Sequence, residues 1–288
     1  MRTSAIRLGD FCVCMDVVGF GVATPASAVD PAAEELGLEP AAVPSGETGT
    51  RTLSLEDRQV DLLLIPDSTN DRVMAFDPAT GNLLDADFIP ADPTNLSTPK
   101  CAIYKSDGTG FLVCDQIDDA VQEYDLAGNS VGIFAPAGGV DNTILDNARG
   151  ITYHPTSGNL LVAVAGGANS DAMAAFDAGG NYVGNFVANG AGGLDSPWHI
   201  IFGAQAYVPA STSDAVHGYD VTTGAYIDDL IAVDNFPQQN AFAANGNVLV
   251  AVFSGAQEGI MEVQTDGTLV GVYFPVPLNG PRGVYELP

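Results

Sequence analysis

Positive charge is what this sequence has least of. Only nine of its 288 residues are Lys or Arg, against 36 Asp and Glu, which leaves a formal net charge of −27. Nucleic acid and anionic membrane surfaces would repel such a chain, so neither is expected as a partner. Histidine is also scarce, with His154, His199 and His217 in three different surroundings, and Trp198 is the sole tryptophan. After residue 28 no apolar run approaches the ~20 residues that a bilayer-spanning helix needs. The chain has no Gly-rich phosphate loop ahead of a helix, no Gly-x-Ser-x-Gly elbow and no metal-spaced Cys/His pair. Neither a cofactor nor a metal is therefore expected.

The first residues have the marks of an export signal. Arg2 and Arg7 precede a mostly apolar stretch, Phe11 to Val22, and Ala26-Ser27-Ala28 supplies the small-x-small pattern of a cleavage site. The expected division is a signal peptide over 1–28, a flexible Ala-, Pro- and Glu-rich linker over 29–50, and a folded unit over 51–288. Its expected location is the periplasm or the medium, and its expected state a monomer.

What is abundant is turn chemistry: 33 glycines and 18 prolines among short apolar runs. The runs repeat. Asp71-Arg72-Val73 recurs as Asp119-Ala120-Val121, Asp171-Ala172-Met173, Asp214-Ala215-Val216 and Glu258-Gly259-Ile260. Five positions after each acid stands Phe76, Tyr124, Phe176, Tyr219 or Val263, then Asp77, Asp125, Asp177, Asp220 or Gln264. A turn glycine follows in each copy: Gly81, Gly128, Gly180, Gly224 and Gly267.

Each copy holds four strand-like runs. In the third they are Asn159–Val164, Ala172–Asp177, Tyr182–Val187 and Trp198–Phe202. Four strands in each ~45-residue unit describe the blade of a β-propeller, whose radial stacking buries both sheet faces. The expectation is an all-β propeller of five four-stranded blades, with six as the alternative. The first copy opens at Val60–Ile65, in the phase of a second strand, and the chain ends with Arg282–Leu287, in the phase of a first. Pairing of these two runs is expected to close the ring.

The pattern Leu160–Ala163, Asp171-Ala-Met, Phe176-Asp177, Gly180-Asn181, Phe186-Val187 and Pro197-x-x-Ile200 resembles NHL-type repeats of the TolB-like, six-bladed propeller superfamily. The likeness covers about residues 60–288. It implies a fold more than a function, since that superfamily includes lactonases, lyases, ligand-binding modules and plain scaffolds.

In such a propeller, the loop leading into each innermost strand reaches the mouth of the central channel. That column reads Pro99-Lys100-Cys101, Ala148-Arg149-Gly150, Pro197-Trp198-His199, Pro237-Gln238-Gln239 and Pro281-Arg282-Gly283. Lys100, Arg149, Trp198, His199, Gln238, Gln239 and Arg282 are the candidate ligand-binding residues. Guanidinium groups grip carboxylates with two prongs, and Trp offers a flat apolar wall, so the ligand class is a small anion. The resemblance implies a divalent cation on Glu, Asn and Asp ligands in lactonase-type propellers, and several histidines in lyase-type ones. Lys, Arg, Trp and Gln are the wrong donors for a hard cation, and His199 alone is a poor constellation. His217, inside a third strand, is expected to be packed or at the rim, and His154 on the opposite face. No catalytic residue is assigned. The favoured reading is an exported, non-catalytic binding or scaffold propeller for an unidentified protein or a small anionic ligand. The alternative is a lactonase, lyase or hydrolase-type enzyme acting on a small anion.

Cys101 and Cys114 flank Asp107-Gly108, the preferred pair for a two-residue type I′ hairpin turn. With that loop, 106 faces 109 and, counting outward, Cys101 faces Cys114. A cross-strand disulfide is expected there, favoured by export.

Overall fold

The computed structural model describes residues 62–273 and 280–285. The expected signal peptide, linker and the residues up to 61 lie outside them. Five antiparallel sheets follow one another along the chain as a five-bladed β-propeller. The first contains β1 (Leu63–Asp67), β2 (Arg72–Phe76) and β3 (Leu83–Ile89). The second contains β4 (Pro99–Tyr104), β5 (Gly110–Asp115), β6 (Ala120–Asp125) and β7 (Ser130–Ala135). The third contains β8 (Ala148–Tyr153), β9 (Leu160–Val164), β10 (Ala172–Phe176) and β11 (Tyr182–Val187). The fourth contains β12 (Ile201–Phe202), β13 (Ala206–Ala210), β14 (Ala215–Tyr219) and β15 (Tyr226–Ala232). The fifth contains β16 (Pro237–Phe242), β17 (Val248–Val252), β18 (Gly259–Val263) and β19 (Leu269–Tyr273).

Burial runs from hub to rim. The edge strand β8 is buried over its first four residues and β9 and β10 throughout, whereas the opposite edge, β11, begins with two exposed residues. Successive residues of a middle strand serve different seams, as a period of two requires. Leu160 and Val162 pack with Cys101, Leu112 and Ile151 between the second and third blades. Leu161 and Ala163 pack with Ile200, Val208 and Tyr219 between the third and fourth. Similar cores join the first blade to the second through Val73 and Phe111, and the fourth to the fifth through Val216 and Val250. Each fully buried side chain of this kind contributes about 1.5–3 kcal/mol relative to exposure.

The acids of the repeat act as latches between blades. Asp119, Asp171 and Asp214 have left-handed φ angles of 53°, 61° and 51°. Their carboxylates accept the backbone N–H of Asn147 (2.7 Å), Ser196 (2.8 Å) and Phe236 (3.0 Å), while Glu258 accepts that of Gly280 (2.7 Å). Each acceptor thus fastens the chain as it approaches the hub strand of the next blade. The four donors are themselves left-handed, with φ of 54°, 63°, 58° and 60°. Before β4 the arrangement differs: Asp115, on the same blade, takes the N–H groups of Ser97 and Thr98.

The next column caps the turn between third and fourth strands. Asp177 accepts the N–H groups of Gly179 (2.8 Å) and Asn181 (3.0 Å). Gly180 closes that turn at φ 75°, and a Cβ there would run into the carbonyl oxygen of Phe134 on the preceding blade.

Three expectations need adjustment. The first sheet has three strands, and no ladder forms across the described closing residues 280–285. Tyr285 does pack against Leu63, Ile65 and Met74, which brings the end of the chain to the first blade. In the hairpin between β4 and β5, the predicted register is present, with Cys101 opposite Cys114 and Tyr104 opposite Phe111. The turn is not type I′, because only Gly108 takes a positive φ. Asp107 instead uses its carboxylate to accept the N–H (2.9 Å) and hydroxyl (2.6 Å) of Thr109. Both cysteines are buried between the second and third blades, but the expected cross-strand disulfide is not formed: no bond joins Cys101 to Cys114, and facing positions in a register do not by themselves bring two sulfurs into bonding geometry.

Glycine positions separate backbone freedom from packing. Gly180→Ala is expected to cost more than ~2 kcal/mol, combining a strained φ with a backbone collision. Gly246→Ala, at φ 86° with open space around it, should cost only ~1 kcal/mol. Urea unfolding of the two variants against wild type measures the difference.

Candidate functional site

The hub strands share an irregularity that composition could not reveal. Pairing slips between Pro99 and Cys101, between Ala148 and Ile151, and between Pro237 and Asn240. In the fourth blade Pro197 pairs with Ala210 and Ile201 with Tyr207, leaving Trp198, His199 and Ile200 outside the regular ladder. The predicted strand Trp198–Phe202 therefore shortens to Ile201–Phe202. Each slip falls on the candidate column. A bulge re-aims side chains that a regular strand would send into the neighbouring sheets.

Lys100, Arg149, Trp198, His199, Gln238 and Gln239 are all buried, and Arg282 is half-buried. Arg149 stacks on Trp198. Its guanidinium carbon stands 4.2 Å from the centroid of the Trp198 ring. One of its terminal nitrogens donates to the carbonyl of Ser196 and to the hydroxyl of Ser211, both at 3.3 Å. Among the described residues it makes no ion pair, and its Nε has no partner. Burial lowers its pKa to about 10; the charge of Arg282 adds to the effect and Asp171 opposes it. Two cations far apart in sequence are thus electrostatic neighbours.

Arg282 stacks on Phe253 at 4.6 Å, and the adjoining Val284 N–H donates to Gln239 at 3.3 Å. Lys100 Nζ reaches the Ser68 hydroxyl at 3.3 Å, on the first blade. The His199 ring crosses toward the third blade, where a Cβ on Gly150 would come within 3.0 Å of His199 Cδ2. His199 Nδ1 lies 3.3 Å from Asn240 Oδ1, and Asn240 in turn donates to the Tyr207 carbonyl at 3.0 Å. Burial holds the imidazole down at about 4, with the Asn240 contacts opposing. Trp198 Nε1, His199 Nε2 and Gln238 Oε1 are likewise buried without a hydrogen-bond partner among the described residues. Unsatisfied groups of this kind are rare in native interiors and costly to leave so.

The other histidines lie elsewhere. His154 sits in the turn at the far end of β8, its Nδ1 accepting the N–H groups of Thr156 and Ser157 and its Nε2 2.9 Å from the Val221 carbonyl. His217, on β14, contacts Ser213 and Asp229. Sequence reading passed over those two partners, because Ser213, His217 and Asp229 belong to no contiguous motif. The acids Asp67 and Asp115 cap their own turns, accepting N–H groups at Thr69 and Asn70 and at Ile117 and Asp118.

No protein-family model and no curated protein matches the chain. Solved structures do. A nidogen/laminin complex matches at 14% identity and a TM-score of 0.62, over 77% of this chain and 78% of that one. A gluconolactonase from Xanthomonas campestris matches at 17% and 0.55, over 76% and 73%. Virginiamycin B lyase from Staphylococcus aureus matches at 13% and 0.52, over 75% and 67%. The likeness is one of fold. It spans binding proteins and enzymes alike, so function has to come from the site.

His199 gives the site a pH signature. Its folded-state pKa lies below that of the unfolded chain, so the unfolded state binds more protons between about 6.5 and 4. The stability held above pH ~6.5 should fall as the pH drops through that window, by up to about 3 kcal/mol. Urea midpoints at pH 7 and pH 4.5 check this, and His199→Gln should flatten the difference.

Proposed function

We propose that this protein is an exported binding propeller that takes a small carboxylate-bearing ligand at the mouth of its central channel. The observation that carries this is Arg149: a buried cation without a counter-ion among the described residues, stacked on the only tryptophan and within electrostatic reach of a second guanidinium. Burying an unpaired charge is expensive. Its retention makes sense where an anion completes the pair. A carboxylate between Arg149 and Arg282 would receive charge-assisted, two-pronged hydrogen bonds. Trp198 would cover an apolar or aromatic body, and the open polar atoms of Trp198, His199 and Gln238 would supply further partners. The chain as a whole carries a net charge of −27, so a cationic mouth would draw an anion only at short range, within a Debye length of ~8 Å. Export and a monomeric state belong to the same reading.

Trp198 emission reports the mouth directly. Benzoate and citrate are suitable probes, one flat and one multiply charged. Binding of either should change the emission and raise the melting temperature, with ~2.7 kcal/mol of stabilisation expected at a hundredfold excess over Kd. Arg149→Met should abolish the response and, in the absence of ligand, leave the fold equally stable or more stable by 1 kcal/mol or so. Emission and melting temperature indifferent to both probes would overturn the proposal.

A further inference from the structure

The structure assigns a second chemical centre to the fourth blade: Ser213, His217 and Asp229 form a nucleophile–base–acid relay for hydrolysis of small carboxylic esters. This goes beyond the channel-mouth reading and does not depend on it. His217 on β14 and Asp229 on β15 are direct cross-strand partners. His217 Nδ1 lies 2.6 Å from Asp229 Oδ1, and its Nε2 lies 2.8 Å from Ser213 Oγ. With Nδ1–H donating to the carboxylate, Nε2 is left to accept the serine proton. That order of contacts is the one by which serine acyl-transfer enzymes on unrelated folds activate a hydroxyl.

The parts are held. The turn carrying Ser213 is fixed by Ser211 N–H to Ser196 (3.0 Å), Thr212 N–H to Asp195 (3.2 Å) and the Asp214 latch onto Phe236. The imidazole is buried, with 3% of its side chain exposed, while Ser213 is half-buried and reachable. Tyr226 donates its hydroxyl to Asp229 Oδ1 at 3.1 Å, fixing the carboxylate. The rings of Tyr219 and Tyr226 stand 6.4 and 6.3 Å from the imidazole. The Gly192 backbone lies against the Tyr226 ring, so the turn around 190–193 borders the relay. Aromatic walls of this size suit a short apolar acyl group.

The repeat supplies an internal comparison. The positions matching His217 hold Met74, Gln122, Ala174 and Met261, and those matching Ser213 hold Asn70, Asp118, Ser170 and Gln257. The cross-strand partners of those four residues or their neighbours are Asp85 (opposite Ala75), Ile133, Asn185 and Val272. A blade folds without the trio, and only the fourth combines all three.

In the reaction, Ser213 Oγ adds to the ester carbonyl carbon as its proton passes to His217 Nε2. The intermediate collapses by breaking the bond to the alkoxy oxygen, which leaves as alcohol with the proton from His217. Water then adds to the acyl-serine, giving a proton to His217. Ser213 departs with that proton and the carboxylic acid is released. Ester and water become acid and alcohol, with no other reactant.

The full-length protein treated with a biotinylated fluorophosphonate should carry the label on Ser213, and it should hydrolyse p-nitrophenyl acetate. Ser213→Ala should remove the label and lower turnover at least ~100-fold, while melting as wild type does. Asp229→Asn should keep the fold and lower turnover by ~10-fold or more, since it disturbs the imidazole tautomer. Folded wild-type protein that takes no label at Ser213, or Ser213→Ala that turns over the ester at the wild-type rate, would overturn the assignment.

Discussion

One hydrogen bond, repeated from blade to blade, sets the geometry of the hub. A carboxylate at the turn between second and third strands catches the backbone N–H two residues before the hub column of the following blade. Asp119 does this for Arg149, Asp171 for Trp198, Asp214 for Gln238 and Glu258 for Arg282. All four donors and three of the acceptors, Asp119, Asp171 and Asp214, sit in left-handed backbone, so the chain turns sharply at each of them. A charged acceptor on a backbone donor is among the stronger hydrogen bonds available to a protein. The latch therefore controls where the column residues stand as well as how the blades pack.

That control is used at the hub against the protein's own electrostatic interest. A chain with a net charge of −27 has ample carboxylates to neutralise Arg149, yet the Asp171 carboxylate caps the Ser196 N–H and influences Arg149 only from a distance. The guanidinium is left leaning on an indole. Blade seams stabilise the propeller through apolar contact, while the start of the hub strands holds buried polar groups that stability alone would remove. Such a division between a well-packed frame and an under-satisfied centre is how propellers keep one architecture and change what they hold.

Much of the fold was legible because each repeat column has one physical job. Asp177 and Gly180 make a turn that few other pairs can make, and Leu160 to Val164 alternate between two seams. The hub column was legible for the same reason: Lys100, Arg149, Trp198, Gln238 and Arg282 occupy one position of a counted repeat. The slips in the hub strands were not, because a bulge leaves no mark on hydrophobic pattern when every residue around it is buried. Nor was the meeting of Ser213, His217 and Asp229. It depends on a register shift between β14 and β15, and linear spacing says nothing about such a shift. The turn at Asp107-Gly108 shows the converse: the register followed from counting, but the turn type was decided by Asp107 finding Thr109.

The end of the chain carries a consequence for how the molecule assembles. Every seam from the first blade to the fifth joins stretches adjacent in sequence, whereas Tyr285 meets Leu63 and Ile65 across more than two hundred residues. The entropy of joining distant segments grows only logarithmically with length, yet it must be met before the contact returns anything. Blades can thus condense one after another, in the direction in which the ribosome delivers them. The contact of Tyr285 with the first blade forms only once the segment that carries it has arrived.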